Sequence, residues 1–156
     1  MTVDRAITLA IIGILACAIV DDLRNYRIRN SVVVMLFCLC VVDLLLRADL
    51  RQIVTHGVFA AIAFGLLILA FQRNWLGGGD TKLLAIAFLQ TGPELVLSYA
   101  IILLVLTMIY WGGATLGVFP SQRIGARLKV PFGPSIAGAW MIILIFSLAL
   151  QSGKLP

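Results

Sequence analysis

The sequence predicts an all-α membrane protein, a polytopic bundle of about six transmembrane helices. Hydrophobic residues make up 62% of the 156-residue chain and charged residues 12%, whereas a soluble domain is about half apolar and a quarter charged. Apolar runs recur along the whole length, and a crossing needs roughly 20 such residues. The sequence shows no repeat, linker or second domain, so residues 1–156 are expected to form a single transmembrane domain.

Short polar or glycine-containing segments separate the predicted spans. The fourth span begins near Asp80, and Gly92 with the proline after it separates the fourth span from the fifth. The first, second and fourth spans are short for a crossing, so their polar ends are expected in the interface or against protein. The spans are predicted at about residues 5–20, 31–46, 53–71, 80–90, 95–118 and 135–151.

The basic residues predict the orientation of these spans. Eight of the twelve Lys and Arg residues fall in loops 1–2, 3–4 and 5–6, and four fall on the other side. Because cytoplasmic loops carry the excess of basic residues, these three loops are expected in the cytoplasm and both termini outside. The same bias explains the net charge of +5. The expected surroundings are therefore membrane lipid, and no nucleic-acid partner is expected.

Three of the seven acidic residues lie at the predicted cytoplasmic face. Asp21 and Asp22 end the first span and Asp80 begins the fourth. Two carboxylates at one depth on different helices can converge, and a close pair then holds one proton. The ionised member can activate water while the protonated member donates to the scissile carbonyl oxygen. A pair that converges in this way would carry aspartic protease chemistry, which needs no metal, serine or cysteine. The alternative is that both aspartates only cap helix ends.

The remaining acids and the cysteines are interpreted as structural. Asp43 lies one turn from Arg47, which favours an interfacial ion pair over a functional intramembrane acid. The other three acids fall in outer segments and are expected to be solvated. The cysteines lack CxxC spacing, which favours buried free thiols over a zinc site or a disulfide; they are Cys17, Cys38 and Cys40.

The segment GGGDTK, residues 77–82, places three glycines before Asp80. A phosphate-binding loop needs GxxxxGK[ST] after a strand, and the lysine here follows Asp-Thr. A dinucleotide-binding loop needs GxGxxG within a βαβ unit, and no strands are predicted here. Magnesium held by carboxylates for phosphoryl transfer stays open as an interpretation.

Three segments, taken in order, resemble the type IV prepilin peptidase family. The segment DLRNYRIRN, residues 22–30, resembles D-x-R-x-x-x-I-P-N, and GGGDTKLL, residues 77–84, is similar to G-x-G-D-x-K-L. The segment PFGPSIAGA, residues 131–139, resembles the P-[YF]-G-P-x-x-x-x-[AG] stretch that opens the last span of that family. With the six-helix layout, the resemblance covers essentially the whole chain.

The resemblance implies a GxGD-type intramembrane aspartic protease. Members of this family remove the basic leader from prepilins and pseudopilins at the cytoplasmic face of the bacterial inner membrane. By resemblance, Asp22 and Asp80 match the catalytic pair, and Asp21, offset by one residue, is a bystander. Supporting or substrate-binding roles are implied at further motif positions, which are Gly77, Gly79, Lys82, Arg24, Asn30, Pro131, Gly133 and Pro134.

Two departures from the family pattern have consequences. Arg29 stands where the family has a proline, which is expected to loosen the loop after Asp22 and adds a cation. The chain also lacks the Cys-rich cytoplasmic insert of the longer, bifunctional members. It resembles the short form associated with Tad/Flp-type pili, which implies peptidase activity without N-methylation.

Two functions of other classes stay open. A small proton-coupled membrane transporter would place its acids near the middle of the bilayer. A non-enzymatic subunit of a secretion or pilus machine would use Asp22 and Asp80 only as helix caps.

Overall fold

The computed structural model describes residues 3–119, 122–124, 127–129 and 131–152. In this part of the chain, five helices are joined by short segments, with one two-stranded antiparallel hairpin before the last helix. Each helix is long and apolar enough to cross a membrane, which confirms the all-α membrane class. The elements are α1 (Val3–Asn25), α2 (Asn30–Arg47), α3 (Leu50–Gln72), α4 (Gly78–Thr115), β1 (Gln122–Ile124), β2 (Arg127–Lys129) and α5 (Gly133–Ser152).

Helix α4 consists of two helical segments that meet at Gly92, where φ is 60° and ψ is −177°. The centroids of the Phe88 and Tyr99 rings lie 5.8 Å apart. On a straight helix, the same separation in sequence corresponds to roughly 16 Å along the helix axis. The chain therefore folds back at Gly92, and segments 78–91 and 93–115 run in opposite directions. This is the boundary predicted between the fourth and fifth spans, so the described residues form six helical segments.

Gly92 is the residue that permits this reversal. Its combination of φ and ψ is open to glycine almost alone, and a Cβ there would overlap the His56 ring. We expect Gly92→Ala to lower the free energy of unfolding by about 1–3 kcal/mol, seen as a lower thermal midpoint in detergent. Gly112→Ala is the control, because its added Cβ meets nothing within 4 Å. Equal midpoints for the two variants would contradict this role for Gly92.

Polar contacts join the helix ends at one end of the bundle. Arg47 Nη2 lies 2.6 Å from Asp43 Oδ1 and donates to Thr8 Oγ1 at 2.6 Å, which ties α2 to α1. Gln90 Nε2 donates to Asp43 Oδ2 at 2.7 Å, which ties α2 to α4. The predicted Asp43–Arg47 ion pair is confirmed. Asp43 in this pair is buried by the neighbouring helices, with only 4% of its surface exposed.

The opposite end gathers the end of α1 and the starts of α2, α4 and α5. Lys82 Nζ donates to Asn30 Oδ1 at 3.0 Å, which joins the start of α4 to the start of α2. The backbone N–H of Gly133 donates to Asp22 Oδ2 at 3.1 Å, which joins the start of α5 to α1. The segments that carry the three motifs are therefore together at this end.

The core is densest around α5 and the first segment of α4. Trp140 of α5 and Leu83 of that segment are fully buried, and Tyr99 of the second segment is buried with them, whereas α3 has no buried residue. The prediction of buried thiols holds for Cys40 and is wrong for Cys17 and Cys38, which are exposed. In a membrane protein the exposed helix surface faces hydrocarbon, so an apolar thiol there needs no cover from protein.

Candidate active site

Three separate segments line one cavity of about 630 Å³ at the end of the bundle where α1 ends and α4 begins. They are the end of α1 with the following loop, the glycine-rich start of α4, and the residues just before α5. Each carries one of the three motifs found in the sequence. Asp22 and Asp80 both line this cavity, whereas Asp21 does not.

Asp22 lies in the last turn of α1 and is 5% exposed. Its carboxylate receives the hydrogen bond from Gly133 N, so it meets the N-terminus of α5. The first N–H groups of a helix lack partners within the helix, and the helix dipole favours negative charge there. A Cβ on Gly133 would lie 2.5 Å from Asp22 Oδ2. The absence of a side chain at position 133 is therefore what allows this contact.

Asp80 lies in the first turn of α4, three residues after the N-cap residue Gly77. Its carboxylate turns back over Gly77, because a Cβ on Gly77 would lie 2.8 Å from Asp80 Oδ2. The helix dipole again favours a negative charge at this position. Both carboxylates thus lie at helix N-termini, as the capping interpretation expects. They also line the same cavity, as a shared catalytic site requires.

Ile28 packs between the starts of α4 and α5. A Cβ on Gly79 would lie 3.4 Å from Ile28 Cβ, and one on Gly133 would lie 3.2 Å from Ile28 Cδ1. The side chain therefore fills the space beside both glycines and separates the two helix starts at a fixed distance. No role was predicted for Ile28, although it occupies a fixed position in the first motif.

Arg29 keeps the backbone geometry of the proline that it replaces. Its φ is −67° and its ψ is 136°, and proline fixes φ near −65°. Its side chain also has a partner, because Arg29 Nε lies 3.2 Å from Asp21 Oδ2. The expected loosening is therefore not seen in the backbone at this position. Asp21 is therefore the ion-pair partner of Arg29 and does not line the cavity.

The other implied supporting residues divide into two groups. Gly77, Gly79, Asn30, Lys82 and Pro131 line the cavity. Arg24 is exposed in the last turn of α1, and Pro134 is partly buried in the first turn of α5; neither lines the cavity.

Three further residues at this site had no predicted role. Tyr26 and Phe132 line the cavity, and Tyr110 of α4 lies close enough to Asp22 and Tyr26 to interact electrostatically with both. Phe132 belongs to the third motif, and Tyr26 falls at a variable position of the first. Tyr110 lies in an apolar span far from any motif, so only the reversal of α4 brings it here.

Comparison with known proteins assigns the family. The model of the type IV leader peptidase family matches residues 9–116. Neither the curated proteins nor the solved structures yield a match to the chain. The matched stretch contains Asp22, Asp80 and the cavity-lining glycines, and it ends before the third motif. Because it covers more than half of the 156 residues, the chain belongs to the type IV leader peptidase family.

Proposed function

We propose that this protein is an intramembrane aspartic endopeptidase that removes the basic leader from type IV prepilins or prepilin-like proteins. Family membership establishes a protease of the leader-peptidase type. The catalytic groups, the substrate and the membrane face are our inference. The observation that carries it is that Asp22 of α1 and Asp80 of α4 line one cavity.

The side chains around the cavity support carboxylate chemistry. Among the described residues that line it there is no serine, cysteine or histidine, so a Ser or Cys nucleophile has no side chain to supply it there. One carboxylate, ionised, takes a proton from water as the water attacks the scissile carbonyl. The other, protonated, donates to the carbonyl oxygen and recovers that proton when the tetrahedral intermediate collapses. The first carboxyl then gives the proton taken from water to the leaving amine as the C–N bond breaks.

The cations at the cavity set a condition on how a basic leader binds. Arg27, Arg29 and Lys82 line the cavity with the two aspartates. Arg29 is paired with Asp21, and Lys82 donates to Asn30. In our proposal the remaining basic surface faces anionic lipid of the cytoplasmic leaflet. The carboxylates then supply the local attraction for the leader.

The proposed setting follows from the charge bias and from the resemblance. The end of the bundle with the cavity carries the predicted cytoplasmic loops, so the cavity would open to the cytoplasm of a bacterial inner membrane. A role in assembly of Tad/Flp-type pili or in protein secretion follows from the short form that the chain resembles. The position of Asp22 and Asp80 at helix ends does not favour a proton-coupled transporter, which places its acids near mid-bilayer. The same position fits helix caps, but caps alone need not share a cavity.

Cleavage of a purified prepilin tests this proposal. We expect the protein in detergent to cut a prepilin between its basic leader and its apolar helix. With S-adenosylmethionine present, mass spectrometry should find the new amino terminus unmethylated. Thiol alkylation should leave the rate unchanged, because no cysteine lines the cavity in the described residues. Lack of cleavage would overturn the proposed activity, and a methylated product would overturn the peptidase-only part.

A further inference from the structure

Helices α2 and α3 are joined by only two residues, yet they do not pack against each other along their described lengths. Helix α3 packs mainly on α4, and α2 packs on α1 and α4. The space between them is an apolar groove of about 590 Å³, whose floor is the first segment of α4. We call it the α2–α3 groove. Two helices that follow one another so closely usually pack as an antiparallel pair, so this separation needs an explanation.

The walls of the α2–α3 groove suit another helix. Helix α2 lines it from Val33 to Leu45, which is roughly 18 Å of helix. The opposite wall carries small residues, and small residues let helix backbones approach closely in membranes. Gly57, Ala60 and Ala61 of α3 supply them, with Ala85 of α4 on the floor. A Cβ on Gly57 would meet nothing within 4 Å, so the groove is open at this point.

The α2–α3 groove adjoins the cavity that Asp22 and Asp80 line. Lys82 lines both of them, and it is the one charged residue among the described residues of the groove. Lys82 lies two residues after Asp80 on the same helix. From this junction the groove runs along the bundle towards the opposite end, where Leu44, Leu45 and Ile53 line it.

We propose that the α2–α3 groove holds the apolar helix of the substrate, with the leader lying in the cavity. This inference rests on the proposed leader-peptidase function. The bond to be cut lies between a polar leader and an apolar helix, so it must be presented where a polar cavity and an apolar groove meet. Lys82 marks that meeting point, within one turn of Asp80. The opening between α2 and α3 lets a membrane-embedded helix enter sideways from lipid.

Filling the groove tests the proposal. Gly57→Phe should obstruct the groove, and Gly65→Phe is the matched control on the same helix. A Cβ at either glycine meets nothing within 4 Å, and Gly65 does not line the groove. The readout is the ratio of the cleavage rate for a prepilin to that for a leader peptide without the apolar helix. We expect this ratio to fall at least about ten-fold in Gly57→Phe and to keep its wild-type value in Gly65→Phe.

The outcomes separate failure of the docking proposal from failure of the proposed function. If wild type cuts the prepilin and Gly57→Phe keeps the wild-type ratio, the groove is not the docking site, and the peptidase function stands. If wild type cuts neither substrate, the proposed function fails and this inference fails with it.

A crosslinking measurement covers the case in which Gly57→Phe does not fold. A photoreactive residue of small size, placed at position 57 or at position 65, is irradiated in membranes that contain the prepilin. Adducts with the prepilin helix from position 57, and none from position 65, support docking in the groove. Adducts with lipid alone from position 57 would show that acyl chains occupy the groove, which overturns the proposal.

Discussion

Asp22→Asn and Asp80→Asn should each lower the rate of leader cleavage by roughly 10²–10⁴-fold, the contribution typical of a positioned acid or base. The substitution separates catalysis from helix capping. An asparagine side chain at position 22 keeps an oxygen that can accept from Gly133 N, as Asp22 Oδ2 does at 3.1 Å, and asparagine is as good a cap as aspartate. Only the exchangeable carboxyl proton and the negative charge are lost.

The measurement is the initial rate of prepilin cleavage by purified variants with matched thermal midpoints. Asp21→Asn is the control, because Asp21 pairs with Arg29 outside the cavity, and this variant should cut at nearly the wild-type rate. Since the two carboxylates act as one unit, the double variant should be little worse than either single one. Wild-type rates in both single variants would mean that the aspartates are only caps.

Gly133→Ala should lower the cleavage rate by about 100-fold, the loss that a displacement near 1 Å can cause. The added Cβ would lie 2.5 Å from Asp22 Oδ2 and 3.0 Å from its Cγ. Since real Cβ atoms do not approach so closely, either the carboxylate or the start of α5 must move. The hydrogen bond that Gly133 N donates to Asp22 would be disturbed by either movement.

Gly79→Ala is the matched control for this prediction, measured in the same cleavage assay. Its added Cβ also meets Ile28, at 3.4 Å, and Asp22 is not among the atoms nearest to it. Its rate should therefore fall much less than that of Gly133→Ala. If the two alanine variants lose activity equally, the loss comes from Ile28 packing, and the close contact between Gly133 and Asp22 is not what matters.

The helices and the ends at which their polar residues lie could be predicted from the sequence. Long apolar runs specify spans because backbone polar groups in hydrocarbon must be satisfied within a helix. Gly92 and the proline after it predicted the boundary between the fourth and fifth spans. The structure breaks the helix at that residue, where φ is 60°. Asp43 was predicted to pair with Arg47, and it does. Asp43 also accepts a hydrogen bond from Gln90 of another helix, which no local pattern indicates.

The candidate site was less predictable in detail. The motifs named Asp22, Asp80 and Gly133, but not which of them touch. Arg29 is one example of a detail that the sequence did not predict. The absence of the family's proline predicted a looser loop, but the backbone at Arg29 keeps a proline-compatible φ of −67°. Tyr110 was not predictable, because its position within electrostatic range of Asp22 depends on the reversal of α4.

The sequence by itself determined the membrane class, the approximate spans, and the residue types able to carry carboxylate chemistry at one end of the bundle. These follow from composition and from local patterns, which act over one or two helical turns. Only the tertiary structure decided that Asp22 meets the start of α5, that Asp80 shares its cavity, and that α2 and α3 stand apart. Those features depend on how close backbones come in space. That closeness is set by packing among residues far apart in the chain, such as Ile28 against Gly79 and Gly133.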